Sequence, residues 1–204
     1  MIYVLLCAAG YLLGSIPFGL YVGKLWGKID VREHGSGNTG VSNVLRSVGP
    51  IPAALVLLLD AGKGAAAVLA AEAFVDDPSW WLAVGVCSII GHNWPIFLGF
   101  KGGRGIATSA GVLVTLVPLA ALLLLVIWTA TLAISRYISL ASVLAAIALP
   151  IILGVLQLPW TYLVFGLVMS AFALFRHRPN IKRLLAGKEY KLGEKARKIN
   201  EDGG

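Results

Sequence analysis

The sequence predicts an all-α integral membrane protein with seven transmembrane segments, its N-terminus outside and its C-terminus in the cytoplasm. Three observations carry this. The 204 residues are 58% hydrophobic and only 13% charged, against roughly 25% charged in soluble domains. Six apolar runs, each near or above the ~18 residues that suggest a spanning helix, fill most of the chain. The charge between them is uneven: nine of the 17 Lys and Arg residues fall from Arg176 onward beside four acids, so a basic tail from about residue 177 marks one side of the membrane. The length suits a single polytopic domain over residues 1–204 with no separate soluble domain.

The first run, Ile2 to Val22, follows no positively charged leader and reads as a retained span, not a cleaved signal peptide. Lys24, Lys28, Arg32 and Arg46 place the loop after it in the cytoplasm. The second run, Ile51 to Val75, ends at Asp76 and Asp77, which have no basic neighbour and lie outside. The third, Trp80 to Phe100, returns to Lys101 and Arg104 inside. With the N-terminus out, six spans would leave the basic tail outside, against the rule that orders every earlier loop. The fourth run, Ile106 to Ile134, resolves the conflict: it is about 29 residues long, against ~20 for one span, and contains Pro118. A break there makes seven segments, with a short or tilted fourth; a single helix kinked at Pro118 is the alternative. The runs Ile138 to Leu156 and Trp160 to Phe175 complete the set. Polar segments 24–50, 99–106 and 135–138 then share one side with the tail. Cys7 and Cys87 both lie inside apolar runs, which argues against a disulfide framework.

Those polar segments hold the residues of interest. In Glu33-His34-Gly35-Ser36-Gly37-Asn38-Thr39-Gly40, the three glycines permit unusual backbone angles and close approach of a ligand. Ser36 or Asn38 could cap a short helix from about Thr39 to Val48, on which Asn43 and Arg46, three apart, share a face. A helix start suits phosphate or carboxylate; a flexible capped loop is the plainer alternative. No Lys-Ser or Lys-Thr follows the last glycine, so this is not a Walker A loop. In Lys101-Gly102-Gly103-Arg104-Gly105, two cations alternate with glycines whose N–H groups can form an anion-binding concavity; an ordinary basic turn is the alternative. Arg176-His177-Arg178-Pro179-Asn180 leaves the last span, and its cations can simply attract anionic lipid, but His177 and Asn180 are not explained by that. His92 lies near the inner interface, and Asp60 and Lys63, at i and i+3 deep in an apolar segment, form either a structural pair or a functional one. No Asp stands five residues after His34, His92 or His177, which disfavours the His–Asp machinery of one acyltransferase class. The sequence also lacks the spaced aspartates of a CDP-alcohol transferase and any zinc-like Cys/His spacing.

Taken in order, these motifs resemble the bacterial acyl-phosphate:glycerol-3-phosphate acyltransferases, the PlsY family. The matching pieces are Gly14-Ser15-Ile16-Pro17, the 35–40 glycine stretch with Asn43 and Arg46, Leu59-Asp60-Ala61-Gly62-Lys63-Gly64, Gly91-His92, Lys101 to Gly105, Arg136 to Ser142, and Arg176 to Ile181. They span nearly the whole chain. Arg104 stands where many members carry Lys, which keeps the charge but changes donor geometry.

The resemblance implies a seven-helix enzyme of the bacterial inner membrane with its active site facing the cytoplasm and with no metal or organic cofactor. Its partners would be glycerol 3-phosphate, long-chain acyl phosphate and membrane lipid, with no nucleic acid. The acyl group would pass from the acyl phosphate to the 1-hydroxyl, giving lysophosphatidic acid and phosphate. On this reading His177, Ser36 and Asn180 are catalytic, and Arg46, Lys101, Arg104, Ser142, Asn38, Gly37, Gly40, Gly102 and Gly103 bind substrate. The proton acceptor is either His177 or a phosphate oxygen of the donor. A transporter or channel for an organophosphate competes, but its polar groups should cross the midplane. A lipid-binding scaffold also competes, but leaves both glycine loops without a purpose.

Overall fold

The computed structural model describes residues 1–196 and Lys198. Arg197 and residues 199–204, the end of the predicted basic tail, lie outside the described residues. The described chain is a bundle of ten α-helices: α1 (Ile2–Gly14), α2 (Phe18–Trp26), α3 (Val41–Ser47), α4 (Pro50–Phe74), α5 (Pro78–Asn93), α6 (Ile106–Leu116), α7 (Pro118–Ser135), α8 (Ile138–Val155), α9 (Trp160–Arg176) and α10 (Arg178–Leu185). Short 3₁₀ turns stand at Val31–Glu33 and Ile96–Leu98.

Prolines divide the apolar runs. Pro118 opens α7 immediately after α6 ends, so the 106–134 run is two helices. Proline has no N–H to continue the ladder, and its ring clashes with the preceding turn. The first run also breaks, at Ser15-Ile16-Pro17, although α1 and α2 together are long and apolar enough for one span. The third ends at Asn93, where Trp94-Pro95 diverts the chain into the second 3₁₀ turn. Five segments pass the length and composition test for crossing a membrane, and six if α9 and α10, bent by 59° at His177, count as one. At 11 residues, α6 is only about 16 Å long, half the thickness of a bilayer core.

The helices approach closely because small residues stand where they cross. A Cβ on Gly14 of α1 would collide with the Ser88 carbonyl of α5, and one on Gly91 of α5 with the Tyr11 carbonyl of α1. Gly64 of α4 meets Thr108 of α6, and Gly111 of α6 meets Ala61 of α4, in the same way. The largest buried cluster, with Val68, Val112, Leu124, Leu153 and Phe165 among its members, joins α4 and α6 to α7, α8 and α9. A second, built from Val22, Val31, Val44, Ala53 and Val56, seats α3 against α2 and α4. Exposed side chains such as Leu58, Leu119, Leu122, Leu125, Ile151 and Leu167 give the bundle a surface suited to hydrocarbon, not water.

Asp60 and Lys63 pair inside this bundle at 2.7 Å, with His92 Nδ1 3.5 Å from the same carboxylate oxygen. Lys63 Nζ also donates to the Ile16 carbonyl at 2.8 Å. The group therefore ties α4 to α5 and to the break between α1 and α2, where the Ile16 carbonyl lies outside any helical ladder and accepts from Lys63 Nζ and from the Phe18 N–H at 3.1 Å.

Candidate active site

At one end of the bundle four segments converge: the 30–48 stretch, the 99–105 glycine loop, the Arg136–Tyr137 corner, and the chain from Arg176 to Ala196 with Lys198.

Asn43 organises the first segment. Its buried amide nitrogen donates to the carbonyls of Val31, His34 and Asn38 at 2.7, 3.1 and 2.8 Å, and its Oδ1 accepts the Ser36 N–H at 3.0 Å. Gly35 and Gly37 adopt left-handed angles, φ 58° and 65°, which lets the chain fold around that amide. The expected cap differs: α3 starts at Val41 with Gly40 as its first flanking residue, and neither Ser36 nor Asn38 caps it. Asn38 Oδ1 instead accepts the Gly40 N–H at 2.7 Å, making a turn before the helix. One turn beyond Asn43, Arg46 is buried, and its Nε and Nη1 have no partner among the described residues. Its Cζ lies 4.9 Å from the centre of the Tyr190 ring. Burial depresses its pKa, opposed by the nearby Glu189 charge.

The glycines of the second segment are a packing requirement. A Cβ on Gly103 would overlap the His92 ring, and one on Gly102 the His92 carbonyl and the Pro95 ring. Gly103 N–H donates to His92 O at 3.0 Å, so that donor faces the protein. Arg176 clamps the other side: Nε donates to Gly103 O at 3.0 Å, and Nη2 to Gly102 O and Gly103 O at 2.9 and 2.7 Å. Its guanidinium lies 5.3 Å from the Trp94 ring. Arg176 thus shapes the loop that carries Lys101 and Arg104. Lys101 is exposed. Arg104 has its pKa pushed down to about 10, chiefly by burial and then by Arg183, with Glu189 opposing and Arg46 and Arg176 adding to the repulsion.

The third component is the sharp corner between α9 and α10. His177 is buried there, and its Nδ1 lies 2.8 Å from the Ala173 carbonyl, which fixes Nδ1 as the donor and leaves Nε2 as the acceptor. Burial first, then the Arg104 charge, depresses its pKa to about 4, so the imidazole is neutral near pH 7. Pro179 lies in the first turn of α10, followed by Asn180, wholly buried and one turn before Arg183. Glu189 bridges the two, accepting from Asn180 Nδ2 at 2.8 Å and Arg183 Nε at 2.7 Å. Asn180 Oδ1 and Arg183 Nη2 have no partner among the described residues.

The structure therefore brings Arg46, Arg104, His177 and Asn180 into one electrostatic neighbourhood. It sets Ser36, Gly37, Asn38 and Gly40 beside it in the Asn43-ordered loop. Ser142 is buried in the first turn of α8, where its hydroxyl donates to Ile138 O at 2.9 Å and accepts from Trp128 Nε1 at 3.2 Å. Sequence reasoning passed over Arg183 and Glu189. The available signals were the three-residue spacing of Asn180 and Arg183 and a lone acid within a basic stretch. Among the described residues, no three His, Cys, Asp or Glu side chains group as metal ligands. The arrangement is suited instead to holding phosphate. Guanidinium groups with buried, unpaired N–H edges bind phosphate oxygens, and a neutral imidazole beside them can accept a hydrogen bond.

Comparison with known proteins points the same way. Residues 4–187 match the family model described as Glycerol-3-phosphate acyltransferase. A glycerol-3-phosphate acyltransferase of Synechococcus sp. (strain JA-3-3Ab) is 46% identical over 94% of this chain and 94% of its own length. Glycerol-3-phosphate acyltransferase 2 of Moorella thermoacetica is also 46% identical, over 95% of this chain and all (100%) of its own. The crystal structure of PlsY (YgiH), an integral membrane glycerol 3-phosphate acyltransferase in its glycerol 3-phosphate form, superposes with a TM-score of 0.89 at 39% identity, covering 95% of this chain and 96% of that one. The lysophosphatidic acid form of the same protein gives 0.86 over the same shares.

Proposed function

The chain belongs to the glycerol-3-phosphate acyltransferase family, and from that premise we propose that it transfers a fatty acyl group from an acyl phosphate to the 1-hydroxyl of glycerol 3-phosphate. The products are lysophosphatidic acid and inorganic phosphate. The enzyme is an integral membrane acyltransferase; in our reading α6 is the short fourth of seven segments, the N-terminus lies outside, and the site faces the cytoplasm of a bacterial inner membrane. The positive-inside pattern of Lys24 to Arg46, Lys101 to Arg104, Arg136 and the tail supports this orientation.

The observation that carries the chemistry is the meeting of Arg46, Arg104, His177 and Asn180 around one buried acid. Both substrates bear phosphate, and among the described residues Arg46 and Arg183 have buried N–H groups without a protein partner, with the Arg104 charge beside them. The acceptor hydroxyl oxygen attacks the acyl carbonyl carbon. The bond from that carbon to the phosphate oxygen breaks, and phosphate leaves with the electron pair. Because the donor is a mixed anhydride, the enzyme's contribution is alignment and charge stabilisation. Arg46 and Arg104 hold the phosphates, with Lys101 at the open rim. Asn180 presents Oδ1, and the ordered 36–40 loop with Ser36, Gly37, Asn38 and Gly40 closes the acceptor side; Ser142 supports the opposite wall.

The hydroxyl proton passes to a phosphate oxygen of the donor. Burial and the Arg104 charge hold the His177 pKa down at about 4, which makes the imidazole a weak base, whereas the phosphate oxygens gain basicity as the anhydride bond breaks and the electron pair passes to the leaving group. His177 Nε2 instead orients the hydroxyl. Accordingly His177→Gln should weaken binding and alignment without abolishing turnover; complete loss in folded protein would restore a side-chain base.

The deciding experiment is phosphate release from the purified protein given long-chain acyl phosphate, with and without glycerol 3-phosphate, and with acyl-CoA as a parallel donor. Release that requires glycerol 3-phosphate, with acyl-CoA inert, supports the assignment. Turnover from acyl-CoA alone overturns the donor. Flux of labelled glycerol 3-phosphate into liposomes without a donor would favour the transporter, against which stands the clustering of the unpaired cations at one end of the bundle.

A further inference from the structure

We propose that Tyr190 is a positioning residue for Arg46: its ring fixes the plane of the Arg46 guanidinium so that the unpaired Nε and Nη1 edge is presented to a substrate phosphate. The inference rests on the reading of Arg46 as a phosphate ligand.

Arg46 comes from α3, near the beginning of the chain, and Tyr190 from the segment after α10. Their contact places the Arg46 Cζ 4.9 Å from the ring centre, within the range where an aromatic face attracts a cation. The ring is held on both sides. Glu189, immediately before it, is fixed by Asn180 and Arg183. Leu192, two residues after it, exchanges bonds with Arg136: Leu192 N–H donates to Arg136 O at 2.7 Å, and Arg136 Nη2 donates to Leu192 O at 3.1 Å. Further along, Ala196 N–H donates to the Arg46 carbonyl at 3.2 Å, and Lys198 bridges to His34. The strap thus grips Arg46 through its backbone while the ring grips the side chain.

A long side chain with two unpaired buried N–H groups loses rotamer freedom on binding a ligand, and a stacked ring removes that cost beforehand. The aromatic face also offsets part of the repulsion from Arg104 and Arg183, which share the neighbourhood. Both effects favour binding of a phosphate dianion, so the signature belongs in KM. The hydroxyl of Tyr190 plays no part, and phenylalanine should serve equally.

The test is steady-state kinetics on the purified full chain with long-chain acyl phosphate and glycerol 3-phosphate varied in turn, alongside thermal melting in detergent. Tyr190→Phe should keep both KM values within about twofold of wild type. Tyr190→Leu should raise KM for at least one of the two substrates about three- to tenfold, with kcat within about twofold and the melting midpoint unchanged. In an Arg46→Lys background, which keeps the charge and its attraction to the ring but loses the fork whose plane the ring sets, Tyr190→Leu should add less than about twofold. Tyr190→Met carries the same expectation should the leucine variant fail to fold. Unchanged KM in Tyr190→Leu, a loss confined to kcat, an equal loss in Tyr190→Phe, or a full additional loss in the Arg46→Lys background would each overturn the proposal. If Arg46→Ala changes neither KM nor kcat, the reading of Arg46 falls and Tyr190 with it; if Arg46→Ala impairs binding while Tyr190→Leu is silent, only the present inference falls.

Discussion

Glu189 accepts from Asn180 Nδ2 with one carboxylate oxygen and from Arg183 Nε with the other, at 2.8 and 2.7 Å, and is itself buried. It is a counter-charge to Arg46, Arg104 and Arg183 together. Removing one partner from a buried charged pair leaves the rest uncompensated. Glu189→Ala should therefore cost about 2–4 kcal/mol of stability, the lower end reflecting the partial exposure of Arg183. A detergent melting curve checks this; a midpoint unchanged from wild type would show the carboxylate to be dispensable.

Arg176 spends its guanidinium on the carbonyls of Gly102 and Gly103. Arg176→Lys keeps the charge but cannot chelate two carbonyls with one fork. The glycine loop should loosen, raising KM for a phosphate-bearing substrate about tenfold, on the strength of roughly 1.5–3 kcal/mol for hydrogen bonds to a charged group. Equal kinetics for wild type and Arg176→Lys in parallel assays would mean that charge, not the chelate, matters at this position.

Asp60 and Lys63 are fully buried and paired. Asp60→Asn strands the ammonium and should cost about 3–5 kcal/mol. Replacing both, Asp60→Leu with Lys63→Met, should recover most of that loss and retain turnover per folded molecule. A double variant that melts like wild type but does not turn over would give the pair a role in the reaction.

The pH dependence of stability follows from His177. An unfolded histidine binds a proton near pH 6.5, whereas the folded one does so only near 4, because of burial and the Arg104 charge. Between those values the unfolded chain holds more protons, so stability falls as pH falls from about 6.5 to about 4 and is level above that window. The loss attributable to this group reaches about 3 kcal/mol. Melting midpoints of wild type and His177→Gln measured from pH 7 to pH 4 should diverge, with the variant less acid-sensitive; parallel curves would mean that His177 is protonated as readily folded as unfolded.

Much of the architecture is legible residue by residue. Hydropathy marks the helices, since a backbone in hydrocarbon must satisfy its own polar groups. Pro118 announces the break between α6 and α7 because a missing N–H is a local defect. The three polar motifs are visible as the places where glycines, cations and histidine interrupt apolar sequence. Other residues carry a packing role that no local pattern records. Gly102 and Gly103 read as a ligand cradle, and the structure adds that their lack of side chains is needed against His92 and Pro95. Arg176 reads as a cation that attracts anionic lipid, yet its donors go to that loop.

What the sequence determined by itself is the apolar runs that become helices, the break at Pro118, and the cationic, glycine-rich character of the polar segments, because periodicity, proline and charge act over a few residues. What only the tertiary structure decided is which cations remain free to meet a ligand. Arg46 and Tyr190 stand far apart in the chain, as do Gly103 and Arg176, and no local pattern records that they touch. Their pairing is set by the packing of α4, α5, α6 and α9, which brings the loops to one end of the bundle, where a few hydrogen bonds divide the guanidinium groups between structure and site.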